Sequence, residues 1–181
     1  MPRIHPSCNV VDAIGAIDLI NVDDIVGISS FSNAGYPKAI PKTLAANTRD
    51  LSLTVISGGS VGHEVDNTLV ESGNVYKRIP YQSKSVSRTR SNRGSLCYRD
   101  HHISRMGDDV RFHHFGDIDV AVIEAVKITT DGIFPSTSVG NSPVFAKQAD
   151  RLIVEVNRHQ PIQLEELHDI YTPTNPPHRD P

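Results

Sequence analysis

Small and polar residues follow apolar runs at three places in this 181-residue sequence, and the first of these places could do the most chemistry. Segment 29–38, Ser-Ser-Phe-Ser-Asn-Ala-Gly-Tyr-Pro-Lys, follows the apolar run 25–28, and Pro37 and Pro41 bracket the start of a predicted helix. Backbone N–H groups at such a turn and helix N-terminus can bind an anion or a developing oxyanion. The segment therefore predicts a ligand site. Lys38, at the start of the helix, is either a solvated cation or a group that neutralises a carboxylate or phosphate. An ordinary strand–helix connection is the alternative.

The second and third places are loops rich in glycine and serine. Segment 58–62, Gly-Gly-Ser-Val-Gly, follows the apolar run 51–56 and lacks the Lys-Ser/Thr of a phosphate-binding P-loop. It is either a flexible turn or a cradle for a ligand. Segment 136–143 is a similar small-residue loop.

Two carboxylates lie in predicted strands. Glu124 ends the most hydrophobic predicted strand, and its place at the C-terminal end of a strand predicts a role in a site. The alternative is a carboxylate that pairs with Lys127 or caps a turn. Glu155, in a second predicted strand, is open to the same two interpretations.

Nine histidines raise the question of a metal site. His101–His102 and His113–His114 are adjacent pairs, and adjacent residues do not share a helix face. Neither HxxxH nor CxxC spacing occurs, so we predict no metal site. Cys97 could form a nucleophilic pair with His101 or His102, but a free cysteine is more often an inert small hydrophobe. Two cysteines favour a reducing compartment over a disulfide scaffold.

Composition excludes some classes of function. The net charge of −3 argues against general nucleic-acid binding. No apolar run of about 18 residues occurs, and the N-terminus has no signal-peptide core, so we expect no membrane partner. Segment 82–106 carries six basic residues against one acid, Asp100. It is either a solvated face or a surface that attracts phosphate groups.

The predicted elements alternate between strand and helix, which indicates an α/β fold with an open, largely parallel sheet flanked by helices. Ligands of such sheets bind beyond the C-terminal ends of the strands. We predict one domain over residues 1–172 and a Pro-rich linker over 173–181. The predicted helices are 9–20 (capped by Ser7 or Asn9), 38–48, 64–72 and 145–149, and the predicted strands are 24–29, 51–56, 117–125 and 151–156.

The order and spacing of several blocks resemble the N-terminal half of the acetyl-CoA hydrolase/transferase family, which includes class I-type acetate and succinate CoA-transferases. The matching blocks are 30–38, 58–62, 79–83 (Ile-Pro-Tyr-Gln-Ser), 117–129, 137–142 (Thr-Ser-Val-Gly-Asn-Ser), 153–157 (Ile-Val-Glu-Val-Asn), 168–171 and 176–179.

The resemblance implies an enzyme that attacks an acyl-CoA thioester with a glutamate. The attack gives an acyl-glutamyl anhydride and then a glutamyl-CoA thioester, which a second acid or water resolves. In the family that glutamate lies in the C-terminal half, so we expect no catalytic residue in this chain and no turnover by it alone. The implied ligands are a small carboxylic acid and an acyl-CoA, with coenzyme A as part of the substrate and no bound cofactor. The implied partner is the C-terminal half, in a homo-oligomer located in the cytoplasm, with mitochondria as the alternative.

The resemblance also implies a set of substrate-binding residues that contribute acid binding and part of the oxyanion environment. They are Ser30, Phe31, Gly35, Lys38, Ser60, Ser83, Ser138, Gly140 and Asn141, with Glu124 and His102 as further candidates. His102 belongs to an Asp-x-His pattern that begins at Asp100. Ser30 stands where the family usually has glycine. The side chain of this serine crowds a backbone that must approach the acyl group. The alternative function is a non-catalytic binding or regulatory domain that retains the fold.

Overall fold

Seven strands form one sheet in a computed structural model that describes residues 3–80, 82–172, 175 and 177. The strand order is β4-β3-β2-β1-β5-β6, and β7 also pairs with β5. Among the described strands only the β5–β6 pair is antiparallel, so the predicted, largely parallel sheet is confirmed. The strands are β1 (Ile25–Ile28), β2 (Leu53–Ser57), β3 (Val75–Ile79), β4 (Cys97–Tyr98), β5 (Val120–Ile128), β6 (Ile133–Pro135) and β7 (Arg151–Val156).

Helices cover both faces of the sheet. On β5, Val120 and Val122 join one apolar cluster with the helices at 13–17 and 39–46, while Ala121 and Ile123 join a second cluster with the helices at 103–111 and 142–148. A strand that is buried on both faces must be apolar throughout, which explains the long hydrophobic run in β5. The helices are α1 (Ala13–Ile17), α2 (Ala39–Ala46), a π-helix (Glu64–Leu69), α3 (Ser85–Asn92), α4 (Ile103–Arg111), α5 (Ser142–Gln148) and a 3₁₀-helix (Ile162–Glu166).

The first helix is shorter than the predicted 9–20. It begins after Asp12, whose Oδ1 accepts the N–H of Gly15 at 2.8 Å, so the predicted caps Ser7 and Asn9 are wrong. Val10, Val11, Ile14 and Leu19 are exposed, whereas Ile17 is buried. The short helix turns only one apolar stripe toward the sheet, so the remaining apolar residues stay at the surface.

The sequence pattern did not predict strand β3 or helices α3 and α4. Strand β3 reads Val-Tyr-Lys-Arg-Ile, and the charges of Lys77 and Arg78 hide its strand pattern. Helix α3 lies in the basic segment, where the apolar period is weak. Helix α4 begins in that segment and continues past its end at residue 106, so the division of the chain at that point hid it. Tyr81 of the matching block 79–83, most of the predicted linker 173–181, and His178 and Arg179 lie outside the described residues.

Two features are absent from the described residues. No helix within the described ranges is long and apolar enough to cross a membrane. Across the same residues, no group of three or more His, Cys, Asp or Glu side chains is arranged to hold a metal ion. Cys97 is exposed and Cys8 is partly buried, and both are free thiols.

Candidate functional site

Three loops meet at the edge of the sheet where the parallel strands end. The carbonyl oxygen of Ser30, just after β1, packs against Gly58 after β2 and Gly140 after β6. A Cβ would lie 2.6 Å from this oxygen if added to Gly58 and 2.2 Å if added to Gly140, whose φ is +52°. Only glycine permits this approach, so the two small-residue loops are shaped to receive the turn that follows β1.

Side chains of the third loop hold the turn 29–38 in place. The Ser138 hydroxyl accepts the N–H of Phe31 and donates to the carbonyl of Ala34, both at 2.9 Å. The hydroxyl of Thr137 accepts the N–H of Gly35 at 2.9 Å, and Gly35 has a φ of +62°. The N–H groups of Phe31 and Gly35 are therefore used within the chain.

The N-terminus of α2 is capped by a carboxylate of the chain itself. The Glu155 carboxylate on β7 accepts the N–H groups of Lys38, Ala39 and Ile40 at 2.8, 2.9 and 3.1 Å. The prediction that this helix N-terminus faces an external anion is therefore wrong, because Glu155 already occupies the position. The sequence left Glu155 with two interpretations, a role in a ligand site or a pairing or capping role, and the structure supports the cap.

Glu124 is fully buried and forms an ion pair with Lys38. The hydroxyl of Ser136 and the side-chain amide of Asn157, at 3.2 Å, also donate to the Glu124 carboxylate. Two details of the prediction are wrong: Glu124 lies in the middle of β5, and Lys127 pairs instead with Glu165. Glu124 nevertheless lies two residues past Val122, where the pairing of β5 with β1 ends, and so at the same edge.

Lys38 is held rather than solvated. Its ammonium group donates to the carbonyl of Tyr36 at 2.6 Å and lies 4.3 Å from the centre of the Tyr36 ring. The ring covers Gly62, where an added Cβ would lie 1.9 Å from a ring carbon. Tyr36 thus links the turn after β1 to the loop after β2.

The Tyr36 hydroxyl donates to Glu64 at 2.7 Å, and the ammonium group of Lys42 lies 3.3 Å from the same carboxylate. Burial raises the pKa of Tyr36 above its ordinary value, and the hydrogen bond to Glu64 adds to the effect. Burial alone would raise the pKa of Glu64 as well, but the Tyr36 hydrogen bond and the nearby Lys42 lower it overall. Glu64 therefore accepts as a carboxylate at neutral pH.

Two of the predicted serines are in direct contact. Ser60 follows β2 and Ser83 follows β3, and because these strands are adjacent and parallel their following loops meet. The two hydroxyl oxygens lie 2.6 Å apart, and the N–H of Ser83 donates to the Ser60 hydroxyl at 3.1 Å. Ser83 is exposed and Ser60 is buried.

A buried ion pair that sequence reasoning missed lies behind these serines. Asp66 of the π-helix accepts from the Ser60 hydroxyl at 2.9 Å and from Nε of Arg78 at 2.9 Å. Arg78 also donates to the Ser57 hydroxyl at 2.7 Å and to the Gly59 carbonyl at 3.2 Å. No local signal marked this pair, because Arg78 stands beside Lys77 in β3 and its partner Asp66 lies 12 residues earlier on another element.

The remaining predicted residues have different surroundings. Phe31 is 54% exposed at the sheet edge, whereas the Ser30 side chain is fully buried, and within the described residues its hydroxyl has no hydrogen-bond partner. Asn141 lies at the start of α5, where its carbonyl accepts the N–H of Phe145. His102 lies at the start of α4, and its ring contacts the hydroxyl of Ser104 at 2.9 Å, so its observed contact is within its own helix.

Other histidines cluster around a buried carboxylate. His101 and His114 lie 2.6 and 2.8 Å from Asp109, and Arg105 lies 3.7 Å from it. Burial alone would raise the pKa of Asp109, but the His114 hydrogen bond and the charges of Arg105 and His101 lower it overall. These two histidines therefore have a carboxylate partner within the chain.

Comparison with known proteins adds to this geometry. Residues 8–178 match the acetyl-CoA hydrolase/transferase N-terminal domain. The chain is 42% identical to the succinyl-CoA:acetate CoA-transferase of Clostridium kluyveri, covering 95% of this chain and 33% of the relative. It is 35% identical to the acetyl-CoA hydrolase of Schizosaccharomyces pombe, covering 95% of this chain and 35% of the relative.

A solved structure shares the fold. Glutaconate coenzyme A-transferase from Acidaminococcus fermentans superposes with a TM-score of 0.62 at 14% identity, covering 85% of this chain and 68% of that one. The chain spans about a third of the length of the curated relatives that it matches.

Proposed function

The chain belongs to the acetyl-CoA hydrolase/transferase family, and from that premise we propose that it supplies the carboxylic acid-binding wall of an enzyme acting on acyl-CoA. The enzyme either transfers CoA to a second acid, such as acetate or succinate, or hydrolyses the thioester. The observation that carries the proposal is the contact between Ser60 and Ser83 at the carboxyl edge of adjacent strands. Hydroxyl groups at that edge can bind a carboxylate by hydrogen bonds.

We place the nucleophilic glutamate outside this chain, in sequence that corresponds to the remaining two-thirds of the relatives. Support comes from the two strand carboxylates at the site edge. Glu124 is paired with Lys38, and Glu155 caps α2, so attack by either carboxylate would require breaking its own contacts. The external glutamate attacks the thioester carbonyl and releases CoA thiolate, which then attacks the anhydride to give a glutamyl-CoA thioester and the free acid.

The converging loops shape the wall in this proposal. The turn after β1 is held by Gly35, Ser138 and Gly140. The acid and part of the oxyanion environment are bordered by the exposed Phe31 and the backbone of Asn141.

Lys38 contributes by neutralising Glu124 rather than by meeting the substrate directly. We assign His102 no contact with the acid, because its ring hydrogen bond is to its own helix.

Assembly and location follow the family in this proposal. The chain works with a C-terminal part in a homo-oligomer, and coenzyme A enters as the thioester substrate. We place the enzyme in the cytoplasm, with mitochondria as the alternative. The choice between transfer and hydrolysis depends on whether water reaches the glutamyl-CoA thioester.

A second candidate is a non-catalytic binding domain. The observation that favours it is that Ser30, which stands where the family has glycine, is enclosed with its hydroxyl unpaired among the described residues. Such a domain would keep the fold without productive contact to the acyl group.

One experiment separates the two candidates. We would join the chain to the C-terminal part of the Clostridium kluyveri relative and measure formation of succinyl-CoA and release of CoA from acetyl-CoA, with and without succinate. The enzyme proposal expects turnover that a Ser83→Ala change weakens through the KM for the acid. A fusion that is folded but inert would favour the non-catalytic domain.

A further inference from the structure

The direction of hydrogen bonding at the candidate site is set by a buried ion pair. The side chains of Asp66 and Arg78 are both 0% exposed, with 2.9 Å between Oδ1 and Nε. A guanidinium group stays protonated in proteins, and a buried charge needs an opposite charge beside it. Asp66 is therefore the ionised partner, and an ionised carboxylate can only accept hydrogen bonds.

The Ser60 hydroxyl must consequently donate its single hydrogen bond to Asp66, whose Oδ2 lies 2.9 Å away. The lone pairs of the Ser60 oxygen then accept from the N–H of Ser83 at 3.1 Å and from the Ser83 hydroxyl at 2.6 Å. A serine hydroxyl has one donor and two acceptor positions, so the hydrogen-bonding capacity of Ser60 is complete. Ser60 therefore has no hydrogen-bond donor available for a substrate.

Solvent exposure increases along this chain of hydrogen bonds, from Asp66 through Ser60 to Ser83. Asp66 is enclosed, Ser60 is 4% exposed and Ser83 is exposed at the surface. When a carboxylate arrives, the Ser83 hydroxyl can turn from Ser60 to the acid, while its own N–H keeps it anchored on Ser60. The cost is one neutral hydrogen bond, and the gain is a stronger bond to a charged acceptor.

We infer that the two serines have different roles: Ser83 contacts the acid, and Ser60 is a positioning residue that acts through Ser83. The inference rests on the proposed function and narrows it, because Ser60 no longer belongs to the residues that touch the substrate. Asp66 causes this difference in roles, because it accepts the only hydrogen bond that the Ser60 hydroxyl can donate.

The first test is a double-mutant cycle in the fusion described above, with the KM for the acid as readout. We expect Ser83→Ala to raise this KM about tenfold, as expected for losing a hydrogen bond to a charged group. Ser60→Ala should raise it less, and the double variant should match Ser83→Ala. The KM for acetyl-CoA should stay unchanged in all three, which a general structural defect would not allow.

The matched control is Ser85→Ala, which alters an exposed serine two residues along and should leave both KM values as in the wild type. Effects of Ser60→Ala and Ser83→Ala that multiply in the double variant would overturn the inference, because they would mean that both hydroxyls bind the acid independently.

The second test needs no activity. In the 181-residue chain, Ser60→Ala removes the acceptor of the Ser83 N–H, so hydrogen exchange at that amide should become about fivefold faster or more, while Ser85→Ala should not change it. Unchanged exchange in Ser60→Ala would overturn the inference whatever the activity. An inactive fusion would remove the proposed function alone, and the exchange rate would still decide whether Ser60 anchors Ser83.

Discussion

The carboxylate of Glu124, fully enclosed in β5, is paired with the ammonium group of Lys38, which lies 86 residues earlier in the sequence. The pair joins the turn after β1 to the centre of the sheet. The Lys38 side chain is 33% exposed, whereas that of Glu124 is 0% exposed, so removing the lysine leaves a buried negative charge with only neutral donors.

We predict that Lys38→Met lowers the free energy of unfolding by about 2 kcal/mol, less than for a fully buried pair because solvent reaches part of the lysine. Adding Glu124→Gln should recover part of the loss. The control is Lys42→Met, whose more exposed pair with Glu64 should contribute less than about 1 kcal/mol. Urea denaturation measures all four proteins, and equal losses for Lys38→Met and Lys42→Met would contradict the importance of the buried pair.

The cap on α2 leads to a second prediction. Replacing Glu155 with alanine removes the acceptor of three backbone N–H groups, and we expect a loss of about 1–2 kcal/mol in stability. Glu155→Gln, which keeps an oxygen acceptor, should lose less. The exposed Glu71→Ala is the control. If Glu155→Ala unfolds at the same urea concentration as the wild type, the carboxylate does not cap the helix.

Glycine is required where the loops meet, which leads to a third prediction. In Gly140→Ala the new Cβ would collide with the Ser30 carbonyl and sit on a backbone with a φ of +52°, so we expect a loss of more than about 2 kcal/mol. Gly132→Ala is the control, because its added Cβ meets nothing within 4 Å. Thermal unfolding compares the two variants, and a Gly140→Ala protein as stable as Gly132→Ala would refute the close packing.

The lowered pKa of Asp109 leads to a fourth prediction, on pH. A carboxylate whose pKa is lower in the folded state than in the unfolded state, where it is about 3.9, stabilises the fold at neutral pH. That contribution is lost as the pH falls through the folded pKa. We therefore expect Asp109→Asn to be less stable than the wild type at pH 7, with the difference shrinking below about pH 4.

Stability of Asp109→Asn and the wild type would be followed by urea denaturation from pH 7 to pH 3. The exposed Asp50→Asn serves as the control and should follow the wild type throughout. A difference between Asp109→Asn and the wild type that does not vary with pH would show that the carboxylate contributes through packing rather than through its charge.

Local sequence predicted those parts of the fold that depend on local patterns. The apolar run in β5 and the small-residue segments after β1 and β2 identified a parallel sheet and the edge where its loops meet. Strand β3 was missed because Arg78 interrupts its apolar pattern, and its burial depends on Asp66, which lies 12 residues away on another element.

The same reason limits prediction of the site. A turn followed by a helix N-terminus indicates an anion site, but the anion proved to be Glu155, which lies 117 residues beyond Lys38. Ser60 and Ser83 were named through the family resemblance, whereas the direction of their hydrogen bonds depends on a buried charge that no local pattern reveals.

We propose that this chain binds the acid while the nucleophile lies elsewhere, and the mass of the covalent intermediate shows which polypeptide carries the nucleophile. The chain and the C-terminal part of the Clostridium kluyveri relative would be mixed as separate polypeptides, incubated with acetyl-CoA and examined by intact-protein mass spectrometry. We predict a CoA adduct on the C-terminal part and an unmodified 181-residue chain. An adduct on this chain, whether at Glu124, Glu155 or another residue, would show that the nucleophile lies here instead.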